Sequence, residues 1–372
     1  MNECDTKSLH RVLLTTGGTG GHVFPALAVA EELQRRYPQI SLLFVGSQYG
    51  PEARMVTNAG IEFRGLPVRG FVGRGARALG SSLLMSQAVF KALWVVCGFK
   101  PQVTLGFGGY AAFAPMLASR LRGVPTALHE QNAVAGVSNK VLARLSRKIF
   151  LSLPDTAGFN PRKCVLTGNP VRHTVAAVGV ARHRRNFSRP EPSRNLLVVG
   201  GSQGARALNA CVMTALPVFK AAGLELLHQT GQQDFEKVQA AYVRAGYAPD
   251  CVQPFIEDMA QAYDWADLAL CRAGATTVAE LSAVGLPAVL VPFPAAAHDH
   301  QTYNARTLAR TGAAVLVQEA DMLHMDVSAL ILRLFNDTSA LIGMATSAYA
   351  QAQEDAAVKV VDELEVLLYS LK

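Results

Sequence analysis

Apolar residues in this chain fall in short, nearly continuous runs, separated by stretches whose apolar positions recur every three or four residues. RVLLTT (11–16), SLLFVGS (41–47), QVTLGFGG (102–109), PTALHE (125–130) and KIFLSL (148–153) read as strands buried on both faces. Between them VFPALAVAEELQRRY, SSLLMSQAVFKALWVV and AAFAPMLASRL carry helical spacing. The alternation predicts a parallel sheet with helices on both sides. After an Arg- and Pro-rich stretch near 173–194 it begins again, with NLLVVGG, LELLHQTG, CVQPFI, DLALCRAG, PAVLVPFP and AAVLVQE. The chain thus reads as α/β, with two doubly wound, Rossmann-like halves at 1–172 and 173–351. An amphipathic helix within 352–372 is placed to pack back on the first half. Such sheets bind ligands beyond the carboxyl ends of their strands, so two halves facing across a cleft are expected.

Composition narrows this little. Half of the 372 residues are hydrophobic and 17% are charged, as in a globular protein with a sizeable core. MNECDTKSLH shows no basic n-region running into an apolar h-region, and the longest apolar stretch, 283–297, is broken by three prolines. A soluble or peripheral protein is expected. Cys4, Cys97, Cys164, Cys211, Cys251 and Cys271 show no CxxC spacing, which suits thiols in a reducing compartment better than zinc or disulfides. The net charge of +7 gathers at RHRRNFSR (182–189) and around Arg69, Arg74, Arg77 and Lys91. It points to phosphates or acidic lipid headgroups, with no nucleic-acid partner expected; a solvated linker explains 182–189 better.

Each half opens with a strand entering a glycine loop: TTGGTGGH in the first, VVGGSQGAR in the second, with a third cluster, GFGGY, at 106–110. Glycine permits positive φ and removes the side chain that would hold a ligand off. A loop of this kind feeding a helix N-terminus is an anion site. No Gly-Lys-Ser/Thr follows, and the GxGxxG spacing of nicotinamide or flavin sites is absent from 17–22 and 200–205. Two loops in separate halves suggest two phosphate-bearing ligands. His22, at the mouth of the first helix, reads either as a general base or as a locally bonded cap. In CRAGATTVAE (271–280), Glu280 lies where a carboxylate can take both hydroxyls of a ribose, or where a helix simply exposes a glutamate.

TTGGTGGHVFPALAVAEEL, GFGGYAA, LHEQNAVAGVSNK, GNPVR, VVGGSQGAR, FIEDMAQAYDWADLALCRAGATTVAE and DHQTYNA together resemble the MurG family of bacterial peptidoglycan glycosyltransferases, in order along nearly the whole chain. The resemblance implies a GT-B fold and an inverting transfer of N-acetylglucosamine from UDP-GlcNAc. The implied acceptor is the C4 hydroxyl of MurNAc in undecaprenyl-pyrophosphoryl-MurNAc-pentapeptide (lipid I), and the product is lipid II. It implies neither cofactor nor metal, a helix terminus stabilising the leaving diphosphate instead. Donor contacts carry over to Thr19, Gly20, Gly21, Asn132 and Arg172. In the second half they carry over to Ser202, Ile256, Ala275, Thr276, Thr277, Val278, Ala279, Glu280 and Gln301. Ser202 would hold the diphosphate, Glu280 the ribose and the Ile256 backbone the uracil edge. Gly17, Gly18, Gly108, Gly109 and Tyr110 would meet the acceptor's diphosphate, with His22 as base and Glu130 as the alternative.

A lipid-linked acceptor implies a peripheral enzyme on the cytoplasmic face of the inner membrane, with other wall-synthesis and division proteins as possible partners. In GRGARALGSSLLMSQAVFKALWVV (73–96), Arg74, Arg77 and Lys91 stand beside Leu83, Leu84, Phe90 and Trp94, either as an interfacial surface or as part of the core. Two other classes of function fit the same halves. One is a different UDP-sugar GT-B enzyme, such as a glycolipid glycosyltransferase or a UDP-GlcNAc 2-epimerase; the other is a non-catalytic scaffold that binds the nucleotide sugar.

Overall fold

The computed structural model describes residues 8–18, 20–68, 78–154, 156–187, 193–201, 204–296 and 299–369. The chain divides into two compact units, one of residues 1–172 with 354–372 and the other of 173–353.

In the first unit, β1 (Arg11–Thr15), α1 (Gly20–Arg36), β2 (Ser41–Ser47), α2 (Glu52–Asn58), β3 (Glu62–Leu66) and α3 (Ala78–Phe99) are followed by β4 (Val103–Gly106), α4 (Phe113–Leu121), β5 (Thr126–Glu130), α5 (Val137–Leu145), β6 (Lys148–Leu151) and β7 (Cys164–Leu166). All pairs are parallel, in the order β3-β2-β1-β4-β5-β6-β7. Side chains alternate across the sheet, as strands require. Val12, Leu14 and Phe44 enter one apolar layer, and Leu13, Leu43 and Val45 enter the other. The first layer is completed by the chain's last helix, whose Val360, Val361, Leu364 and Leu367 are buried there. That helix docks on α1, where Arg36 donates to Asp362 and Glu365 at 2.6 and 2.8 Å.

The second unit contains α6 (His173–Arg184), β8 (Asn195–Val199), α7 (Arg206–Ala221), β9 (Glu225–Gln229), α8 (Phe235–Arg244), β10 (Val252–Gln253), α9 (Met259–Trp265), β11 (Leu268–Cys271), α10 (Ala275–Val284), β12 (Ala288–Leu290), α11 (His300–Ala309), β13 (Ala314–Leu316), α12 (Val327–Asn336) and α13 (Thr338–Tyr349). Its sheet is also parallel, ordered β10-β9-β8-β11-β12-β13. The chain's last helix is α14 (Ala356–Tyr369). Among the described residues no single helix is long and apolar enough to cross a membrane.

Strand order reverses between β1 and β4 in the first unit and between β8 and β11 in the second. Ligands of open parallel sheets sit at such points. The residues that follow these four strands are the glycine loops and the helix N-terminus of α10.

Candidate functional site

In the first unit the two glycine loops are laced together. Thr15 pairs with Gly106 across β1 and β4. Beyond them, the Gly17 N–H donates to the Gly108 carbonyl at 3.2 Å, and the Thr16 hydroxyl donates to the same oxygen at 3.3 Å. The glycines serve different purposes. Gly109 has φ +78°, and a Cβ there would overlap the Gly17 carbonyl; a Cβ on Gly17 would lie 2.8 Å from the Ala111 nitrogen. These two allow the loops to touch. Gly18 has φ +114° and nothing within 4 Å of its missing Cβ, so it keeps backbone bare toward open space. Below the loop lies buried Glu52. Desolvation holds its carboxyl above the ordinary range, while amides of Glu52 itself, Ser47 and Gly18 pull the other way.

The contrast predicts two stabilities. Gly109→Ala must move a backbone carbonyl and should lower unfolding free energy by more than about 3 kcal/mol. Gly18→Ala incurs only its unfavourable φ, about 1–3 kcal/mol. Urea midpoints measure both, and equal losses would show that the loops are not in contact.

His22 stands in the first turn of α1, half-buried. Its Nδ1 lies 2.8 Å from Oε1 of Gln131, and its Nε2 has no hydrogen-bond partner among the described residues. Gln131 and His129, at the end of β5, are buried. Burial lowers His129 to about 4, so its imidazole is neutral. Glu130 is occupied differently. Oε1 accepts from the Asn132 N–H and side-chain amide at 3.0 and 3.2 Å, and Oε2 accepts from the Gly136 N–H and Asn139 Nδ2 at 3.3 and 2.8 Å. Four donors make this carboxylate a brace between the loop after β5 and the first turn of α5. Of the two candidate bases, His22 is the one with a polar side-chain atom that makes no hydrogen bond among the described residues. Arg172 stacks its guanidinium over Phe24 at 4.5 Å.

In the second unit, β8 runs into Gly200 and Gly201, and Gly201 repeats the Gly18 arrangement, with φ +86° and nothing within 4 Å of a Cβ. Gly204 packs against Thr230 instead, its Cβ position 2.6 Å from the Thr230 carbonyl. Helices α7 and α10, which begin at Arg206 and Ala275, have no side chain capping their first turns. A helix N-terminus of this kind can take an anion. Thr276, Val278 and Glu280 are buried along α10, while Ala275, Thr277 and Ala279 are half-exposed. The Glu280 carboxylate accepts the Tyr263 hydroxyl through Oε2 at 2.9 Å.

Two expected contacts are already engaged within the protein. The Ile256 amide, expected to meet uracil, donates to Oε1 of buried Gln229 at 3.0 Å. Base recognition through that amide requires Gln229 to yield. Gln301 accepts the Phe293 N–H through Oε1 at 2.9 Å, which turns its donor end outward from that bond. Arg272 ties three strand ends together, donating to the Val291 and Pro292 carbonyls at 3.2 Å each and pairing with Glu319. Thr19, Ser202, Arg69, Arg74 and Arg77 lie outside the described residues.

Along α3, Ala88, Ala92 and Val96 enter the core, whereas Phe90 and Trp94 are 65% and 71% exposed and flank exposed Lys91. Leu84 is half-buried, and the side chain of Leu83 is not described. Beside Gly109 and Tyr110 lies an open, largely apolar cavity of about 330 Å3, lined by Met85, Phe113, Val137 and Val141.

Sequence reasoning missed Gln131, Tyr263, Gln229 and Arg272. Each lies within or beside a motif that was legible, but its role depends on a partner distant in sequence.

Residues 12–151 match the glycosyltransferase family 28 N-terminal domain, and 195–360 match the glycosyltransferase family 28 C-terminal domain. A Nitratidesulfovibrio vulgaris relative is 55% identical over 97% of this chain and 98% of its own length. It is named UDP-N-acetylglucosamine–N-acetylmuramyl-(pentapeptide) pyrophosphoryl-undecaprenol N-acetylglucosamine transferase. Among solved structures, MurG of Acinetobacter baumannii has a TM-score of 0.71 and 36% identity, covering 95% of this chain and 98% of that one. A UDP-GlcNAc 2-epimerase from Neisseria meningitidis, bound to UDP-GlcNAc, has a TM-score of 0.64 at 14% identity over 95% of this chain and 99% of its own. That likeness is one of fold alone. The near full-length identity and both domain matches agree: the chain belongs to glycosyltransferase family 28, in its MurG group.

Proposed function

We propose that this protein transfers N-acetylglucosamine from UDP-GlcNAc to the C4 hydroxyl of MurNAc in lipid I, with inversion, to give lipid II. The observation that carries the reading is the 55% identity, over nearly the whole of both chains, to a transferase named for that donor and acceptor. Open-faced Gly18 and Gly201 in separate units, each beyond a central strand, support it, because the reaction brings together two diphosphates.

The donor belongs to the second unit. Its diphosphate meets the 200–204 loop and the first turn of α10, its ribose meets Glu280, and its uracil lies near Ile256. Asn132, Arg172 and Gln301 are assigned to the sugar and phosphates. The acceptor diphosphate meets Gly17, Gly18, Gly108, Gly109 and Tyr110. His22 Nε2 takes the proton of the C4 hydroxyl as its oxygen bonds to the anomeric carbon. The bond from that carbon to the diphosphate breaks, and the electron pair leaves with UDP. Helix N–H groups stabilise the charge that develops there.

The site of action is the cytoplasmic face of the plasma membrane. The apolar cavity beside Gly109 is suited to the first isoprene units of the acceptor. Phe90, Lys91 and Trp94 offer aromatic rings and a cation to an anionic interface. Phe90→Ser with Trp94→Ser should cut co-sedimentation with anionic vesicles several-fold and leave transfer to a soluble acceptor analogue unchanged. Undiminished vesicle binding would remove α3 from the membrane face.

The function is tested by following label from UDP-GlcNAc. Transfer to a lipid I analogue, with UDP released only when the analogue is present, is the expected result. Release of UDP without acceptor, conversion of the donor to its 2-epimer, or binding without turnover would each overturn it.

A further inference from the structure

We propose that Gln131 and His129 are positioning residues that decide which nitrogen of His22 carries its hydrogen, and thereby make Nε2 the basic atom. The proposal rests on the reading of His22 as the general base.

The argument begins at a carbonyl, which can only accept. His129 Nε2 lies 2.9 Å from the Gly168 carbonyl oxygen, so this nitrogen carries a hydrogen and donates. His129 is fully buried, and desolvation keeps its ring neutral. With Nε2 protonated, a neutral ring has a lone pair on Nδ1. Gln131 Nε2 lies 3.1 Å from that nitrogen and donates to it. The same amide nitrogen lies 3.1 Å from the Phe107 carbonyl and 3.1 Å from the His129 carbonyl.

Three acceptors therefore surround one end of the Gln131 amide. Turning the amide over would set its oxygen against two carbonyl oxygens and an imidazole lone pair, inside a site 1% exposed. The orientation is fixed, and Oε1 faces His22 Nδ1 at 2.8 Å. An amide oxygen cannot donate, so His22 Nδ1 carries the hydrogen. The lone pair of the neutral ring falls on Nε2.

Free neutral imidazole side chains favour the opposite arrangement, with hydrogen on Nε2. The relay holds His22 in its less common tautomer. When Nε2 accepts a proton, Nδ1 keeps both its hydrogen and its acceptor, so the ion forms without rearrangement. Gly168, His129 and Gln131 need not touch either substrate.

The test is 15N NMR of the full-length protein labelled at histidine, with His22 assigned among the 9 histidines by its absence from His22→Gln. The expected spectrum near neutral pH shows His22 protonated at Nδ1 and His129 protonated at Nε2. In Gln131→Met, His22 should move toward the Nε2–H form. Its kcat should fall about tenfold or more, while KM for UDP-GlcNAc stays within about twofold.

An Nε2–H form of His22 in the wild-type protein overturns the proposal, as does an unchanged kcat in Gln131→Met. If that variant does not fold, the wild-type resonances still decide. Failure of the underlying reading looks different: Nδ1–H at His22 together with full turnover in His22→Ala would keep the relay and dismiss the base.

Discussion

His22→Ala should lower turnover by roughly two orders of magnitude or more while leaving UDP affinity nearly unchanged, the pattern expected for loss of a general base. Both halves of this expectation follow from where the imidazole stands. His22 lies on α1 of the first unit, beside the loops assigned to the acceptor, whereas the uracil and ribose contacts are assigned to Ile256 and Glu280 of the second unit. Its Nδ1 is committed to Gln131, so the chemistry falls to Nε2. Glu130 cannot readily replace it, because its two oxygens already accept four hydrogen bonds from Asn132, Gly136 and Asn139. Steady-state turnover with a lipid I analogue and titration calorimetry with UDP measure the two quantities. Wild-type turnover in the variant would remove the role from His22, and a matching loss of UDP affinity would place the residue in the donor site.

Glu280→Ala should weaken UDP binding by about 1.5–3 kcal/mol, the range of a charged hydrogen bond, or roughly 10- to 150-fold in Kd. Tyr263 refines this expectation. Its hydroxyl donates to one carboxylate oxygen and helps to hold the group in place. Tyr263→Phe should therefore cost less than Glu280→Ala, and the two losses should not add. Because both residues are buried, each variant's melting temperature accompanies the titration. Unchanged UDP affinity in a folded Glu280→Ala protein would refute the ribose assignment.

Much of the fold was legible in the hydrophobic pattern, because strands buried on both faces leave continuous apolar runs. The strands that escaped notice show the same physics from the other side. β3, Glu62–Leu66, is an edge strand with a half-exposed face and no apolar run, and β7 is three residues long at the opposite edge. Neither buries enough surface to mark its sequence.

The candidate site was legible as motifs rather than as roles. Glycine positions stood out, yet the sequence could not tell Gly109, which makes room for a neighbouring carbonyl, from Gly18, which faces open space. His129, Glu130 and Gln131 are adjacent in the chain. Only the fold shows that one carboxylate braces a loop while the histidine and amide on either side form a hydrogen-bonded line to His22. Ile256 shows the same limit, since its amide is taken by Gln229, 27 residues away.

The central claim is that a soluble diphosphate and a lipid-linked one are each held by bare main chain in a different unit. A structure of the protein with UDP-GlcNAc tests it most directly. The account predicts the diphosphate against residues 200–204 and the first turn of α10, with ribose at Glu280 and the 17–18 and 108–110 loops left for the acceptor. The UDP diphosphate seated instead on the 17–18 and 108–110 loops of the first unit would contradict it.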